Sequence, residues 1–119
     1  MAVALTDAVP AGIYARQALE SAGVWEQLRP HLAETDNVRS AAVLVDRGEV
    51  PFGIVYETDA QLFQNLTIAY RIPSTGHDPI VYPIGAISGG HQSTEAYISY
   101  LMNSTSSQVF RDFGFGIAP

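Results

Sequence analysis

The first 23 residues read MAVALTDAVPAGIYARQALESAG. Met1–Leu5 is a short apolar run with the composition of a buried strand, and Pro10 stands where a helix begins, since proline suits the first helical turn. Ala15, Ala18, Leu19 and Ala22 then recur at helical spacing, and Gly23 supplies the stop. A strand running directly into a helix is the unit of an α/β architecture. The rest of the chain continues in that style. Val24–Leu28 reads as a second short helix limited by Pro30. A third helix is expected over about Asn37–Arg47. Thr35, Asp36 and Asn37 offer cap side chains, Val38, Ala41, Ala42 and Val45 make one apolar face, and Gly48 follows.

Three apolar runs beyond it, Phe52–Tyr56, Leu66–Ile72 and Ile80–Ser88, have strand composition. The segment PSTGHDP, residues 73–79, separates the last two as a turn. Two helices are expected to close the chain, from about Thr94 to Met102 and from about Ser106 to Phe113. Thr105 and Gln108 have capping-box spacing, and Gly114 lies at the C-terminal cap position.

At 119 residues and 47% hydrophobic, with 15% charged, the chain suits one ordinary globular domain rather than disorder. All six basic residues are arginines, against twelve Asp and Glu, for a net charge of −6. A protein gripping nucleic acid by its phosphates would be poorly equipped with this balance, so no nucleic-acid partner is expected. No apolar run approaches the roughly 18 residues of a membrane helix, so membrane insertion is not expected either. Met1–Asp7 shows no basic segment leading into a long apolar stretch, so the chain as written carries no export signal. With no cysteine, disulfides and thiolate chemistry are excluded.

Catalytic patterns are absent. His31, His77 and His91 have neither metal-ligand nor helical spacing, and each reads as a surface or loop histidine. Ser93, Ser104, Ser106 and Ser107 form no nucleophile elbow and are explained by helix capping. Gly85, Gly89 and Gly90 match no phosphate loop, and the Gly89–Gly90 pair reads as a tight turn. An enzyme is therefore not expected, and neither is a cofactor. Two helix starts, at Pro10–Gly12 and Asn37–Arg39, and Tyr56 at the end of an apolar run remain. Helix starts offer unpaired amides and the positive end of a dipole, which attract anions, although every α/β domain has such starts.

Taken in order, VPAGIYARQALE (9–20), GVW (23–25), NVRSA (37–41), GEVPFGIVY (48–56), IVYP (80–83) and FRDFGF (110–115) resemble the periplasmic molybdate-binding proteins of ABC uptake systems. The resemblance implies a partial type II periplasmic-binding-protein fold, with one sheet flanked by helices. It divides the chain into a second-lobe-like region, residues 1–82, and a crossover strand with first-lobe-type C-terminal helices, residues 83–119. In that family an oxyanion lies between two lobes and is held by backbone amides and hydroxyls. The matching positions here are Ala11, Val38 and Tyr56. The implied ligand is molybdate or tungstate, the implied partner an ABC transporter, and the implied compartment the periplasm.

That family's chains are about twice as long, and their first half supplies the other lobe with two serine-bearing loops of the anion site. Without that lobe, Tyr97, Leu101, Val109, Phe110 and Phe113 must pack on the remaining sheet or on another copy. A homo-oligomer, with helices or strands exchanged, is therefore expected to complete the fold. The alternative to an oxyanion-binding domain is an oligomeric fragment that keeps the fold and has lost the ligand.

Overall fold

The computed structural model describes residues 1–118. In chain order the elements are β1 (Ala2–Ala4), α1 (Pro10–Ser21), α2 (Trp25–Leu28), a 3-10 turn (Arg29–His31), β2 (Ala33–Thr35) and α3 (Val38–Asp46). They continue with α4 (Glu57–Ala60), a second 3-10 turn (Ser74–Gly76), α5 (Thr94–Leu101) and α6 (Ser104–Asp112). None of the described helices is long and apolar enough to cross a membrane.

The chain forms two compact units, Met1–Pro79 and the part from Ile80 onward. In the first, β1 is the centre. It pairs in parallel with β2, Ala2 opposite Ala33 and Ala4 opposite Thr35. On its other edge it meets Gly53 through a parallel bridge at Ala2, where the Ala2 amide donates to Phe52 O at 2.8 Å and the Ile54 amide to Ala2 O at 3.0 Å. All three β1 residues are fully buried, and their small side chains allow α1 and α3 to pack on them. Ala11, Ala15, Ala18 and Leu19 of α1, Trp25 of α2, and Ala41 and Ala42 of α3 complete this core.

Two close approaches explain glycines here. A Cβ on Gly12 would overlap the carbonyl oxygens of Ala4 and Leu5, so α1 starts directly against the end of β1. A Cβ on Gly53 would come within 2.8 Å of a Val45 methyl on α3. Residues 73–79 fold back on α1. Gln17 and Asp78 exchange hydrogen bonds at 2.7 and 2.9 Å, and His77 stacks at a tilt on Tyr14.

In the second unit, α5 and α6 meet through a tight connection. Asn103 caps α6 by accepting from the Ser106 amide at 2.8 Å, and the buried Ser106 hydroxyl donates to Tyr100 O at 2.8 Å. Edge-on ring contacts join Tyr82 to Phe115 and Phe110 to Phe115.

Strand β1 and helices α1, α2, α3, α5 and α6 therefore lie where the sequence expects them, whereas α4 is not foreseen and the later apolar runs are not the strands expected. Phe52–Tyr56 makes a single bridge, and Leu66–Ile72 and Ile80–Ser88 carry no strand. Apolar composition favours extended backbone, but a ladder needs a partner, and none lies beside these segments among the described residues. β2, with sequence Ala-Glu-Thr, was not anticipated because it has no apolar run. The capping box expected at Thr105 and Gln108 is replaced by Asn103, two residues earlier. Tyr97, Val109, Phe110 and Phe113, expected to pack on the sheet or on another copy, are exposed in the single chain.

Candidate functional site

Each of the three candidate residues follows the carboxyl end of one of three neighbouring parallel segments. β1 leads into α1, where Ala11 is the second helical residue. β2 leads into α3, where Val38 is the first. The Gly53 segment leads to Tyr56, which precedes α4. Because β2 lies on one edge of β1 and Gly53 on the other, the chain reverses its direction of winding at β1. The crevice outside the carboxyl ends at such a reversal is where open α/β sheets bind ligands.

The helix starts present backbone donors. Ala11 is the second residue of α1 and Val38 the first of α3, and among the described residues no acceptor faces either amide. Pro10 removes one competing N–H at the start of α1. At α3, the Asn37 side chain accepts from the Ser40 amide at 2.8 Å, which consumes that donor and leaves Val38 and Arg39 at the open end. The dipoles of α1 and α3 add to the anion-attracting character of this edge.

Two arrangements near this edge were not anticipated from the sequence. Arg39 Nη2 donates to Asp59 Oδ1 at 3.2 Å, joining the first turn of α3 to α4. Asp59 is buried, and its amide and that of Ala60 donate to Tyr56 O, both at 3.0 Å. A sequence signal did exist, an Arg directly after Val38 and an Asp three residues after Tyr56, but the pair spans 20 residues. The second arrangement is at Thr6, just past β1. Its amide and hydroxyl both donate to Glu34 Oε1, at 2.8 and 2.6 Å. These bonds hold the Glu34 carboxyl below its usual range, the hydroxyl being the largest cause, with Arg29 assisting and burial opposing.

A cavity of about 170 Å3, lined by Thr6, Arg16, Trp25, Arg29 and Glu34 among others, includes none of Ala11, Val38 or Tyr56. Its Arg16 is already committed to Asp7 at 2.6 Å and Glu20 at 2.8 Å, over the face of Trp25. His31 and His91 are exposed, and no group of three or more His, Asp or Glu could hold a metal among the described residues.

Residues 1–116 match the family model for bacterial extracellular solute-binding proteins. The molybdate-binding protein ModA of Escherichia coli is 37% identical over 118 residues, 98% of this chain and 46% of that protein. ModA of Haemophilus influenzae is also 37% identical, over 109 residues, 90% of this chain and 42% of that protein. The chain thus spans about half the length of these relatives. A solved substrate-binding domain assigned to a molybdenum ABC transporter of Clostridium difficile superposes with a TM-score of 0.85 at 24% identity, covering 99% of this chain and 52% of that one. The periplasmic molybdate-binding protein of Azotobacter vinelandii gives 0.72 at 17% identity, covering 99% and 54%. At these identities the two structures speak to the fold alone. The relatives are binding proteins, in agreement with the expectation that this is not an enzyme. By the match along nearly its whole length, the chain belongs to the bacterial extracellular solute-binding protein family.

Proposed function

We propose that this chain binds a tetrahedral oxyanion of the molybdate or tungstate type at the carboxyl ends of its parallel segments. The amides of Ala11 and Val38 and the hydroxyl of Tyr56 are the donors. The observation that carries the reading is the position of all three beyond neighbouring parallel segments at the point where the winding reverses. The names of the relatives from E. coli and H. influenzae support the ligand class.

The chemistry suits such an anion. A fully deprotonated tetrahedral dianion accepts hydrogen bonds on every oxygen, so a set of pure donors matches it and leaves a protonated anion with one mismatched contact. The net charge of −6 does not prevent this. Amide dipoles act at contact range, whereas spread surface charge is screened over about 8–10 Å.

In the same reading, residues 1–82 are the second-lobe part of a two-lobed binding protein, and the part from residue 83 onward, with α5 and α6 but without the expected crossover strand among its described residues, is of the first-lobe type. The ligand is delivered to an ABC transporter in the periplasm. A second surface must close over the anion, and a second copy of this chain is the proposed source. These three donors by themselves would give affinity in the millimolar range, about −4 kcal/mol. The alternative is an oligomeric fragment without ligand binding. Calorimetric titration with molybdate, tungstate and sulfate separates the two. Saturable heat supports the binding reading, and none at millimolar ligand supports the alternative.

A further inference from the structure

Asp59 is only 7% exposed, and it meets the guanidinium of Arg39, whose side chain is 64% exposed, at 3.2 Å. A carboxylate buried to this degree is costly unless paired, so this pair is a fixed feature of the unit and differs in kind from a surface contact such as Arg47 with Glu49 at 4.0 Å. Its location gives it a second significance. Arg39 is covalently next to Val38, and Asp59 lies in the single turn whose amides, its own and that of Ala60, bind Tyr56 O.

We infer that the Arg39–Asp59 pair is a positioning clasp for the anion site, setting the Tyr56 segment against the first turn of α3. The inference rests on the oxyanion reading for its functional meaning and on the 3.2 Å contact for its structural one. Hydrogen bonds to a small anion tolerate little displacement, and α4 is only four residues long. So short a helix cannot hold its own position, since isolated turns are not stable without tertiary contacts. Asn37 caps α3 from within, whereas the Arg39 side chain reaches α4. Neither member of the pair touches the anion. Both act through the groups beside them.

The test uses the whole chain and four variants, Asp59→Asn, Arg39→Met, their double and Arg39→Lys, with molybdate as the probe. Molybdate affinity is measured by calorimetry, and unfolding is followed without ligand. Each of the first two single substitutions should weaken molybdate binding about tenfold in the folded protein, the double should be no weaker than either, and Arg39→Lys should restore most of the loss. Variants that bind like the parent once the unfolded fraction is subtracted would overturn the clasp and leave the pair a purely structural contact. If the parent itself gives no molybdate heat, the oxyanion reading fails separately, and amide exchange then decides the clasp. In Asp59→Asn the amides of residues 59 and 60 should exchange about tenfold faster while those of α1 keep their rates. Unchanged exchange at 59 and 60 would overturn it.

Discussion

Gly12 has no side chain because none fits between α1 and the carbonyl oxygens of Ala4 and Leu5. Backbone cannot retreat as a flexible side chain can, so Gly12→Ala should cost about 3 kcal/mol or more and leave little folded protein in a denaturant melt. The same strand end is tied sideways by Thr6, whose two bonds to Glu34 depress that carboxyl's pKa. A depressed carboxyl adds stability above its unfolded value and loses it as the pH falls through the folded value, because the unfolded chain then binds more protons. Thr6→Val should therefore destabilise at neutral pH, by about 1 kcal/mol given the solvent screening of exposed Glu34, and much less at about pH 3. Denaturant melts at the two pH values check this. An equal loss at both would mean that Thr6 acts by packing alone.

Among the elements, those fixed by local chemistry were legible and those fixed by distant partners were not. Pro10 and Gly23 bracket α1, and Asn37 and Gly48 bracket α3, with Gly23 and Gly48 in the left-handed conformation that such stops need. Caps act within a few residues, so a single sequence carries them. The runs Leu66–Ile72 and Ile80–Ser88 look like strands because strand composition is also local, whereas pairing is not. The candidate site divides in the same way. The two helix starts and Tyr56 at the end of an apolar run are legible in the residues, the choice of Ala11, Val38 and Tyr56 as donors comes with the family resemblance, and the Arg39–Asp59 contact, 20 residues apart, is a product of the fold. The caps also give a prediction. Asn37→Ala should destabilise the unit ending at Pro79 by about 1 kcal/mol and speed amide exchange in the first turn of α3. Asn103→Ala should do the same to α6 without affecting α3. If either change spread to the other helix, the division into two units would not describe the stability of the chain.

For the whole molecule, the exposed apolar residues of the part from Ile80 onward raise the question of association. Ile87 is 85% exposed, Tyr97 61% and Phe113 65%. Such surface favours association, so light scattering at micromolar concentration should give a mass above one chain, and Phe113→Ser with Tyr97→Ser should lower it. A single-chain mass for the parent would remove the second copy from the proposed function. The acidic balance is compatible with an anion held by neutral donors at one edge of the parallel segments. Titration of the whole chain and of Tyr56→Phe with molybdate in a calorimeter bears on that claim most directly. The expected result is saturable heat at millimolar ligand or below, weakened at least several-fold by loss of the Tyr56 hydroxyl. No heat at millimolar molybdate, or binding that Tyr56→Phe leaves unchanged, would contradict it.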